Sequence, residues 1–587
     1  MLTTILLLAV LGPVAPDREA DLAAARALFE RNITAIQERD REAYLSCYLA
    51  TEGLVRSGPD GPATGFAPLA EGTPATGSDD WPQALHASDL QLHWIQDGVV
   101  YGTYRYHAIF DGESSLGLSE RFFTRVGEEW KIAVSTAFEA PPGTPAAPLA
   151  LVGATLYDGS GSPPKEDSVI LLRNGRIDAV GTRATLDVPE GIDVLDLTGQ
   201  FVTPGMIDTH VHYSQTGWAD GRPDARDVRE TYPYAAAMAE NRDRPERFHR
   251  AFLAAGITAV FDVGGYSWTR GLGADTEDSP LAPHVAATGP LITPWKPEVT
   301  DLVEQHQFVI PVDAADAARL VRDHAALGSD AIKVWFVQAG PNALEEFTPL
   351  VHATADAARE AGLPMVVHAT ELATARVALE AGARLLVHSV EDQPIDEAFL
   401  ELAVETEAFY CPTLTVREGY ALLYEARLSD EVRGQLGYVA PEIADRIEAT
   451  EQLEPAMTAD RLELVRQRFS TQGDTMAANL LRLHEAGVPI VLGTDAGNPL
   501  TLHGPSVFPE LEAMQAAGMT PLEVLTAATW NAARAIGRSE DLGLIASGRI
   551  ADLLILDGDP GQSIVNMRTL KKVVRAGTLH DRDELVP

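Results

Sequence analysis

Two histidines, His210 and His212, end a short apolar run of the chain. The run reads FVTPGMIDTHVHY from Phe201 to Tyr213, which is typical of a buried strand. Side chains two residues apart in a strand point to the same face, so the two imidazoles would lie side by side at its end. Neutral imidazole is the protein donor that zinc-like ions bind most often. Because many H-x-H pairs are accidental, this pair predicts a metal site only if other strands supply partners.

Candidate partners occur in later apolar runs. Lys333 lies in AIKVWF, His368 in MVVHATE, His388 in LLVHSVE and Asp495 in VLGTDAG. Such side chains are costly to bury in apolar strands unless they are paired or bind a metal, and the chain has only six lysines. Taken singly, each histidine could be a hydrogen-bonded core residue, and Lys333 could form a buried ion pair. Together with the first pair they favour one shared metal site.

The elements that would position these residues alternate along residues 203–543. Short apolar runs separated by amphipathic helices predict parallel strands covered by helices, an α/β fold. The eight runs and the length of the segment match a (β/α)₈ (TIM) barrel, whose active sites lie at the carboxyl ends of the strands. Residues 417–472 would form an excursion after the seventh strand, over the barrel mouth.

The segments on either side of the predicted barrel have a different character. Residues 149–202 and 544–587 read as short strands joined by turns such as Asn174-Gly175 and Asp557-Gly558. These two strand-rich segments flank everything between them. We therefore expect the two to assemble into one small split β-sandwich, with the barrel inserted between its halves.

Residues 17–140 read as a separate domain, since 587 residues predict two or three domains. Helical stretches come first and a run of antiparallel strands follows, which indicates an α+β unit. The element order and the closing sequence RFFTRVGEEWKIAVSTAF resemble the nuclear-transport-factor-2-like (SnoaL-like) cone fold. Residues 141–148, PPGTPAAP, form a linker by composition.

Residues 1–16 are too short an apolar run to span a bilayer, but they resemble a signal segment, which favours export over a cytoplasmic location.

Amino-acid composition excludes some classes of binding partner. The net charge of −40 argues against nucleic acid or an anionic membrane surface, because both would be repelled. The two cysteines, Cys47 and Cys411, are far apart and cannot build a disulfide framework or a thiolate metal cluster. We expect a small-molecule substrate, no membrane span, and a homo-oligomer associated through the N-terminal domain.

The order H-x-H, K, H, H and D on successive strands, inside a split β-sandwich, resembles the amidohydrolase superfamily. The tail GMTPLEVLTAATWNAARAIG, with LGLIASGRIADLLILDGDP after it, resembles the imidazolonepropionase-related and prolidase-like branch. The resemblance covers about residues 148–587. It implies that His210, His212 and Asp495 bind the more buried of two zinc ions, with manganese or cobalt as alternatives.

The same resemblance implies the remaining ligands and the chemistry. His368 and His388 would bind the more exposed ion, and Lys333 would bridge both ions as a carbamate formed with carbon dioxide. Two such ions polarise a carbonyl and lower the pKa of a bridging water to near neutrality. Asp495 would take the proton from the attacking hydroxide and pass it to the leaving amine. The expected reaction is hydrolysis of an amide or peptide C–N bond in a dipeptide or an N-acyl amino acid.

Glu371 leaves a second hypothesis open. It completes an H-x-x-E spacing with His368, at which a glutamate shuttles protons in mononuclear branches of the superfamily. If Lys333 carries no carbamate, the alternative is a mononuclear cyclic-amide hydrolase or deaminase that uses Glu371, or a lactonase. The structural alternative for Glu371 is a carboxylate at a helix N-terminus, next to Thr370 as the cap. A non-enzyme alternative is a scaffold or binding protein with a decayed barrel.

Four further residues are candidates for substrate binding. Tyr213 follows the histidine pair, Arg417 and Tyr420 follow the seventh strand, and His503 follows the eighth in NPLTLHGPS. Each stands where the loops of a barrel mouth would lie. Packing within the loops is the alternative role for each.

Overall fold

The computed structural model describes residues 18–58, 61–110, 113–139, 148–189, 192–300, 302, 305–338, 340 and 342–587. The predicted signal segment and nearly all of the predicted linker lie outside these residues. The chain divides into two units, residues 1–148 with 190–193, and residues 149–189 with 194–587.

The N-terminal unit combines helices with one antiparallel-rich sheet. Its elements are α1 (Arg18–Gln37), α2 (Arg41–Ser46), β1 (Val55–Gly58), β2 (Gly61–Thr64), α3 (Phe66–Gly72), β3 (Ala84–Gln96), β4 (Val99–Phe110), β5 (Glu113–Val126) and β6 (Glu129–Glu139). The strand order is β2-β1-β6-β5-β4-β3, and β3 to β6 pair antiparallel with their sequence neighbours. Helix α1 contributes Leu28 and Phe29 to a core that also holds Tyr104 and Phe123 of the sheet. Helices thus precede the long strands, as the sequence predicts.

The second unit alternates strands and helices along most of its length. Its strands are β7 (Leu149–Leu156), β8 (Lys165–Arg173), β9 (Arg176–Thr182), β10 (Asp193–Asp196), β11 (Phe201–Pro204), β12 (Met206–Val211), β13 (Ile257–Asp262), β14 (His284–Ala287), β15 (Leu291–Ile292), β16 (Phe308–Val309), β17 (Ile332–Trp335), β18 (Met365–His368), β19 (Leu385–Val387), β20 (Phe409–Cys411), β21 (Leu553–Leu556), β22 (Leu570–Arg575) and β23 (Thr578–Asp581). Its α-helices are α4 (Tyr234–Asp243), α5 (Glu246–Ala254), α6 (Leu272–Thr276), α7 (Ala314–Ala326), α8 (Ala343–Glu360), α9 (Leu372–Ala381), α10 (Glu397–Glu405), α11 (Val416–Glu425), α12 (Asp430–Gln435), α13 (Pro441–Glu448), α14 (Ala459–Glu485), α15 (Val507–Ala516), α16 (Pro521–Thr526), α17 (Ala532–Ala535) and α18 (Arg582–Leu585).

Strands from both ends of this unit join in one mixed sheet. The order is β23-β22-β21-β11-β7-β8-β9, with β10 beside β7. The junction is the antiparallel pair β11 and β21, in which Val202 lies opposite Ile555. Both residues are buried in a shared core with Leu156 and Ile170. The two flanking segments therefore hydrogen-bond to each other through this strand pair.

The strands between these flanks are parallel and short. They form the sheets β12-β13-β14 and β16-β15-β17-β18-β19-β20. The backbone N–H of Asp330 donates to Ala287 of β14 just before β17 begins. At the other end, residues 489–496 form parallel bridges to Tyr410 of β20 and to Val211 of β12. The last segment therefore returns to the first strand, and the carboxyl ends of these strands meet on one side.

Four helices, α11 to α14, lie between β20 and residues 489–496. The insertion packs on the loop that follows β12: Trp218 Nε1 donates to Thr450 Oγ1 at 2.9 Å, and Arg446 lies 3.2 Å from Asp220. These contacts hold the predicted excursion beside the carboxyl end of the first parallel strand. Among the described residues, none of the helices has the length and apolar character needed to cross a bilayer.

Candidate functional site

The histidine pair meets Asp495 where β12 ends. His210 Nε2 lies 3.1 Å and His212 Nε2 lies 3.0 Å from the same oxygen, Asp495 Oδ1. The backbone aligns the two segments, because the N–H of Asp495 donates to His210 and the N–H of His212 donates to Ala496. The alternation of side chains in a strand thus brings both imidazoles to one carboxylate, as the sequence predicts.

Hydrogen bonds on the far side of two rings fix which nitrogen faces the site. His212 Nδ1 lies 2.7 Å from the carbonyl oxygen of Gly264, an acceptor only, so Nδ1 carries a proton and Nε2 is the nitrogen that faces Asp495. His388 Nδ1 lies 2.7 Å from Thr413 Oγ1, and its Nε2 lies 3.8 Å from Asp495 Oδ2. Both arrangements leave an Nε2 atom near Asp495.

The site also contains Lys333, His368 and His388. The rings of His368 and His388 lie 4.4 Å apart between centroids, and those of His210 and His388 lie 4.8 Å apart. Burial lowers the pKa of all three histidines well below the usual value, so their rings are neutral at pH 7. Burial also lowers the pKa of Lys333 to about 7. The six residues singled out in the sequence therefore lie in one buried cluster.

The polar atoms of this cluster fit a metal ion. His210, His388 and Asp495 each offer a ligand atom, and these atoms lie within 4.8 Å of one another. Within the described part of the chain, Asp495 Oδ1, Lys333 Nζ and His210 Nδ1 are buried and make no hydrogen bond. A buried polar atom left unpaired costs about 1–3 kcal/mol, so the unpaired Asp495 Oδ1 and Lys333 Nζ in one cluster indicate a missing partner. Imidazole nitrogens with a carboxylate oxygen are donors that suit a zinc-like ion.

Two residues of the cluster, His388 at 73° and Asp495 at 61°, have positive backbone φ angles, and so does the neighbouring Thr413 at 45°. Residues other than glycine rarely adopt this left-handed conformation, because the Cβ atom approaches the backbone. Such strain persists where surrounding contacts impose it, and it is concentrated at functional sites. The conformations of these three residues therefore agree with a site built for chemistry.

A cavity of about 310 Å³ opens above the cluster. Two ion pairs line it, Arg222 with Asp224 and Arg417 with Glu391. Its apolar lining comes mainly from the side chains of Phe308, Trp335, Val416, Tyr420, Tyr424, Phe469 and Met476. Outside the cluster the charged groups of the lining balance one another. The cavity has the size and mixed lining of a small-molecule site.

The four predicted substrate residues fall into two groups. Arg417 and Tyr420 line the cavity, and Tyr420 Oη donates to Asn498 Oδ1 at 2.6 Å. Tyr213 and His503 are buried outside the lining, packed with Phe248 behind the histidine pair. For these two residues the geometry favours packing over contact with substrate.

His503 supports the backbone of the histidine pair. Its Nε2 lies 3.0 Å from the carbonyl oxygen of His212, and its ring stacks on Phe248 with centroids 4.0 Å apart. Burial lowers the pKa of His503 to about 3, so the ring is neutral and Nε2–H donates to the carbonyl. His503 thus acts on His212 through the main chain.

Glu371 directly precedes the first residue of α9 and lies outside the cavity lining, whereas Thr370 belongs to it. The Glu371 carboxylate accepts a hydrogen bond from Thr374 Oγ1 at 3.2 Å, and burial raises its pKa. The first N–H of the helix, that of Leu372, is capped by Asp392 at 2.9 Å. Glu371 therefore occupies the helix N-terminus that its structural alternative requires, although Thr370 does not cap it.

Sequence reasoning missed several buried residues of the site. Asp208 lies two residues before His210 on the same strand face, and Asp262 ends β13 and accepts from the N–H groups of Tyr213 and Gly264. Burial raises the pKa of Asp262 to about 6. The pattern D-x-H-x-H and the strand-end aspartate in FDVGG were signals for these two. Asn498 and Arg222 lie in loops and carried no comparable signal.

One family model and several known proteins match this chain. The model of the Amidohydrolase family matches residues 201–579. Imidazolonepropionase of Shouchella clausii is 40% identical over 121 residues, 19% of this chain and 27% of that protein, so the match spans about a quarter of that relative's length. Imidazolonepropionase of Chromobacterium violaceum is 27% identical over 437 residues, 69% of this chain and 89% of that protein.

Solved structures agree on the fold. A Xaa-Pro dipeptidase with bound methionine in its active site aligns with a TM-score of 0.56 at 21% identity, covering 74% of this chain and all of that one. Phenylurea hydrolase B aligns with a TM-score of 0.55 at 20% identity and covers 74% of this chain and 97% of that one. The family model spans well over half of the chain and contains every residue of the cluster. The chain belongs to the amidohydrolase family.

Proposed function

We propose that this chain is a metal-dependent hydrolase that cleaves an amide or peptide C–N bond in a small substrate, such as a dipeptide or an N-acyl amino acid. The observation that carries the proposal is the buried cluster of four histidines, Lys333 and Asp495 beneath a cavity of about 310 Å³. A buried group of imidazoles around one carboxylate has no evident structural purpose of its own. The cavity suits a substrate of few atoms rather than a folded protein.

The proposed fold is a (β/α)₈ barrel at residues 203–543, inserted in a split β-sandwich of residues 149–202 and 544–587. The return of residues 489–496 to β12 supports closure of the ring of parallel strands. We assign residues 17–140 to a nuclear-transport-factor-2-like domain, supported by the order of helices and strands there.

The proposed cofactor is two zinc ions per chain, with manganese or cobalt as substitutes. His210, His212 and Asp495 would hold the more buried ion, His368 and His388 the more exposed one, and Lys333, as a carbamate, both. Bound ions of this kind polarise a carbonyl and make water acidic enough to attack it at neutral pH. The unpartnered, buried amine of Lys333 supports the carbamate, since only a neutral amine reacts with carbon dioxide.

Asp495 is the proposed proton carrier. Its carboxylate faces the histidines. Asn498 Nδ2 donates to the backbone carbonyl of Asp495 at 3.1 Å and so helps to fix the position of Asp495. The carboxylate would accept a proton as the nucleophile attacks and return it to the leaving nitrogen. Meanwhile the apolar lining excludes bulk water, and Arg417 and Tyr420 would orient the substrate. The mononuclear alternative, which needs Glu371 at the reaction centre, receives no support from a carboxylate outside the cavity lining.

We also propose that the protein is a homo-oligomer that associates through the N-terminal unit. Strand β5 carries Leu118, Phe122 and Val126 on one face, and all three are exposed. Phe138 of β6 pairs with Leu118 and extends this apolar strip. An exposed strip of this kind on one sheet face is typical of a protein–protein contact.

The test of the proposed function is a substrate screen with metal analysis. The wild-type protein, loaded with zinc, manganese or cobalt, is assayed on dipeptides, N-acyl amino acids, cyclic amides and lactones, beside Asp495→Asn. We expect hydrolysis of linear amides and a loss of at least about 100-fold in kcat for Asp495→Asn, the usual size of a proton-transfer contribution. Asp541→Asn, which changes a partly exposed carboxylate that pairs with Arg176 outside the cavity, is the matched control. Less than one bound ion per chain, or equal activity of Asp495→Asn, would refute the proposal.

A further inference from the structure

A buried glutamate on α15 holds the turn that follows β20. Glu510 is fully buried; its Oε1 accepts the N–H of Leu414 at 2.7 Å, and its Oε2 accepts the N–H of Thr415 at 3.0 Å and Thr415 Oγ1 at 2.8 Å. Glu510 does not line the cavity. A buried carboxylate is costly unless several donors compensate it. Here all three donors come from two adjacent residues of one turn, so the carboxylate fixes that turn.

The turn carries the side chain that orients His388. Thr413 directly precedes the two residues that Glu510 binds, and its Oγ1 lies 2.7 Å from His388 Nδ1. Thr413 adopts the left-handed conformation, with φ at 45°, which is unusual for a β-branched residue. A strained residue keeps such a conformation only when its neighbours are held in place. The hydrogen bonds to Glu510 fix Leu414 and Thr415, the two residues that follow Thr413.

We propose that Glu510 is a positioning residue for metal binding by His388, acting through the turn at 413–415. The chain of contacts runs from the Glu510 carboxylate to the backbone of Leu414 and Thr415, then through the Thr413 hydroxyl to Nδ1 of His388. This keeps Nε2 of His388 on the side of Asp495, where the cluster offers its other ligand atoms. The inference rests on the proposed function, because it presumes that His388 binds an ion. Glu510 itself touches neither the ion nor the substrate.

Two variants separate this role from general stabilisation. Glu510→Gln keeps the size of the side chain but replaces one acceptor with an amide that faces N–H or O–H donors. Thr413→Val replaces the hydroxyl that bonds to His388 with a methyl group, whereas Thr413→Ser keeps the hydroxyl. The matched control is Glu512→Gln on the same helix, which removes a carboxylate that pairs with Arg568 on the outside. Circular dichroism and thermal unfolding establish which variants fold.

The measurement is the zinc affinity of each full-length protein by competition with a chelator, with bound zinc counted by elemental analysis. Removing a partner that orients a metal-binding histidine typically weakens metal binding about 10–100-fold. We expect that loss for Glu510→Gln and for Thr413→Val. The double variant should lose less than the product of the two separate fold-losses, since both changes act on the same histidine. Thr413→Ser and Glu512→Gln should bind zinc like the wild type.

Each result has a distinct consequence. Wild-type zinc affinity in folded Glu510→Gln would overturn the positioning role while leaving the proposed function intact. If Glu510→Gln does not fold, Thr413→Val decides, and wild-type affinity in that variant overturns the role of the turn. Weak zinc binding in both Thr413→Val and Thr413→Ser would also overturn the role of the turn, because the hydroxyl would then not account for the loss. Absence of zinc binding by the wild-type protein overturns the proposed function and this inference together.

Discussion

Asp208 Oδ2 lies 2.6 Å from Thr494 Oγ1, although 286 residues separate the two in the sequence. The other oxygen of the same carboxylate accepts the backbone N–H of Thr494 at 3.0 Å and that of His210 at 3.1 Å. Asp208 is fully buried and thus ties β12 to the segment that carries Asp495. This side chain adds to the backbone hydrogen bond from Asp495 to His210, which also fixes the separation between the first histidine and the carboxylate of the candidate metal site.

Replacing Asp208 tests that connection. Asp208→Ala leaves two backbone N–H groups and one hydroxyl without their acceptor in the core, so we expect a loss of about 2–4 kcal/mol in the free energy of unfolding. Asp208→Asn retains an acceptor oxygen and should lose roughly half as much. Urea unfolding followed by circular dichroism measures both. An Asp208→Ala protein as stable as the wild type would show that the carboxylate does not hold the two segments together.

Lys333 decides between one and two metal ions. We expect Lys333→Ala to bind about one ion per chain instead of two and to lose at least about 100-fold in kcat, because an ion that polarises the carbonyl contributes several kcal/mol. Elemental analysis and steady-state kinetics measure the two quantities. Acetate in the buffer should restore part of the second ion and of the activity, since a carboxylate offers the oxygens of the missing carbamate.

The control for this experiment is Lys165→Ala, which removes a lysine that pairs with Asp158 at the surface. Metal content and activity should not change in it. Should Lys333→Ala keep the wild-type metal content and rate, the mononuclear alternative would replace the two-metal proposal.

The pKa of Lys333 predicts how loading depends on pH. Burial lowers this pKa to about 7, so in the metal-free protein the amine gains a proton below that pH and is neutral above it. Only the neutral amine attacks carbon dioxide, hence carbamate formation should rise with pH through about 7 rather than near the 10.5 of an exposed lysine. The apoprotein is incubated with zinc and bicarbonate from pH 5.5 to 9, and recovered activity and intact mass are recorded. A midpoint above about pH 9 would contradict a buried, neutral amine.

The candidate metal-binding residues could be predicted because regular strands place side chains by simple rules. His210 and His212 share a strand face, and Lys333 and His368 interrupt apolar strands in which a polar residue needs a reason. Parallel strands bring their carboxyl ends together, which gathered distant parts of the sequence into one cluster. The two flanking segments could be expected to pair with each other because both are rich in short strands and lie on either side of the predicted barrel.

The positions of loop side chains could not be predicted, because packing rather than periodicity sets the direction in which they point. His503 follows the last parallel segment just as a mouth residue would, yet its ring stacks on Phe248 and donates to the backbone of His212. Arg222 and Asn498 reach the cavity from loops whose shape depends on contacts with α11. The left-handed conformations of His388 and Asp495 likewise arise from tertiary contacts that a single sequence does not display.

The apolar strip on the N-terminal sheet should mediate self-association. Phe122 is 37% exposed and shares one face of β5 with Leu118, with Glu120 between them, so we expect Phe122→Glu to shift the protein toward monomers, because a charge in a buried apolar contact is expensive. Sedimentation velocity over a concentration series measures the shift. Val565→Glu, which places the same charge at an exposed valine of the other unit, should sediment like the wild type. A wild-type protein that is monomeric at all concentrations, or an oligomer unchanged by Phe122→Glu combined with Leu118→Glu, would show that this strip is not the contact.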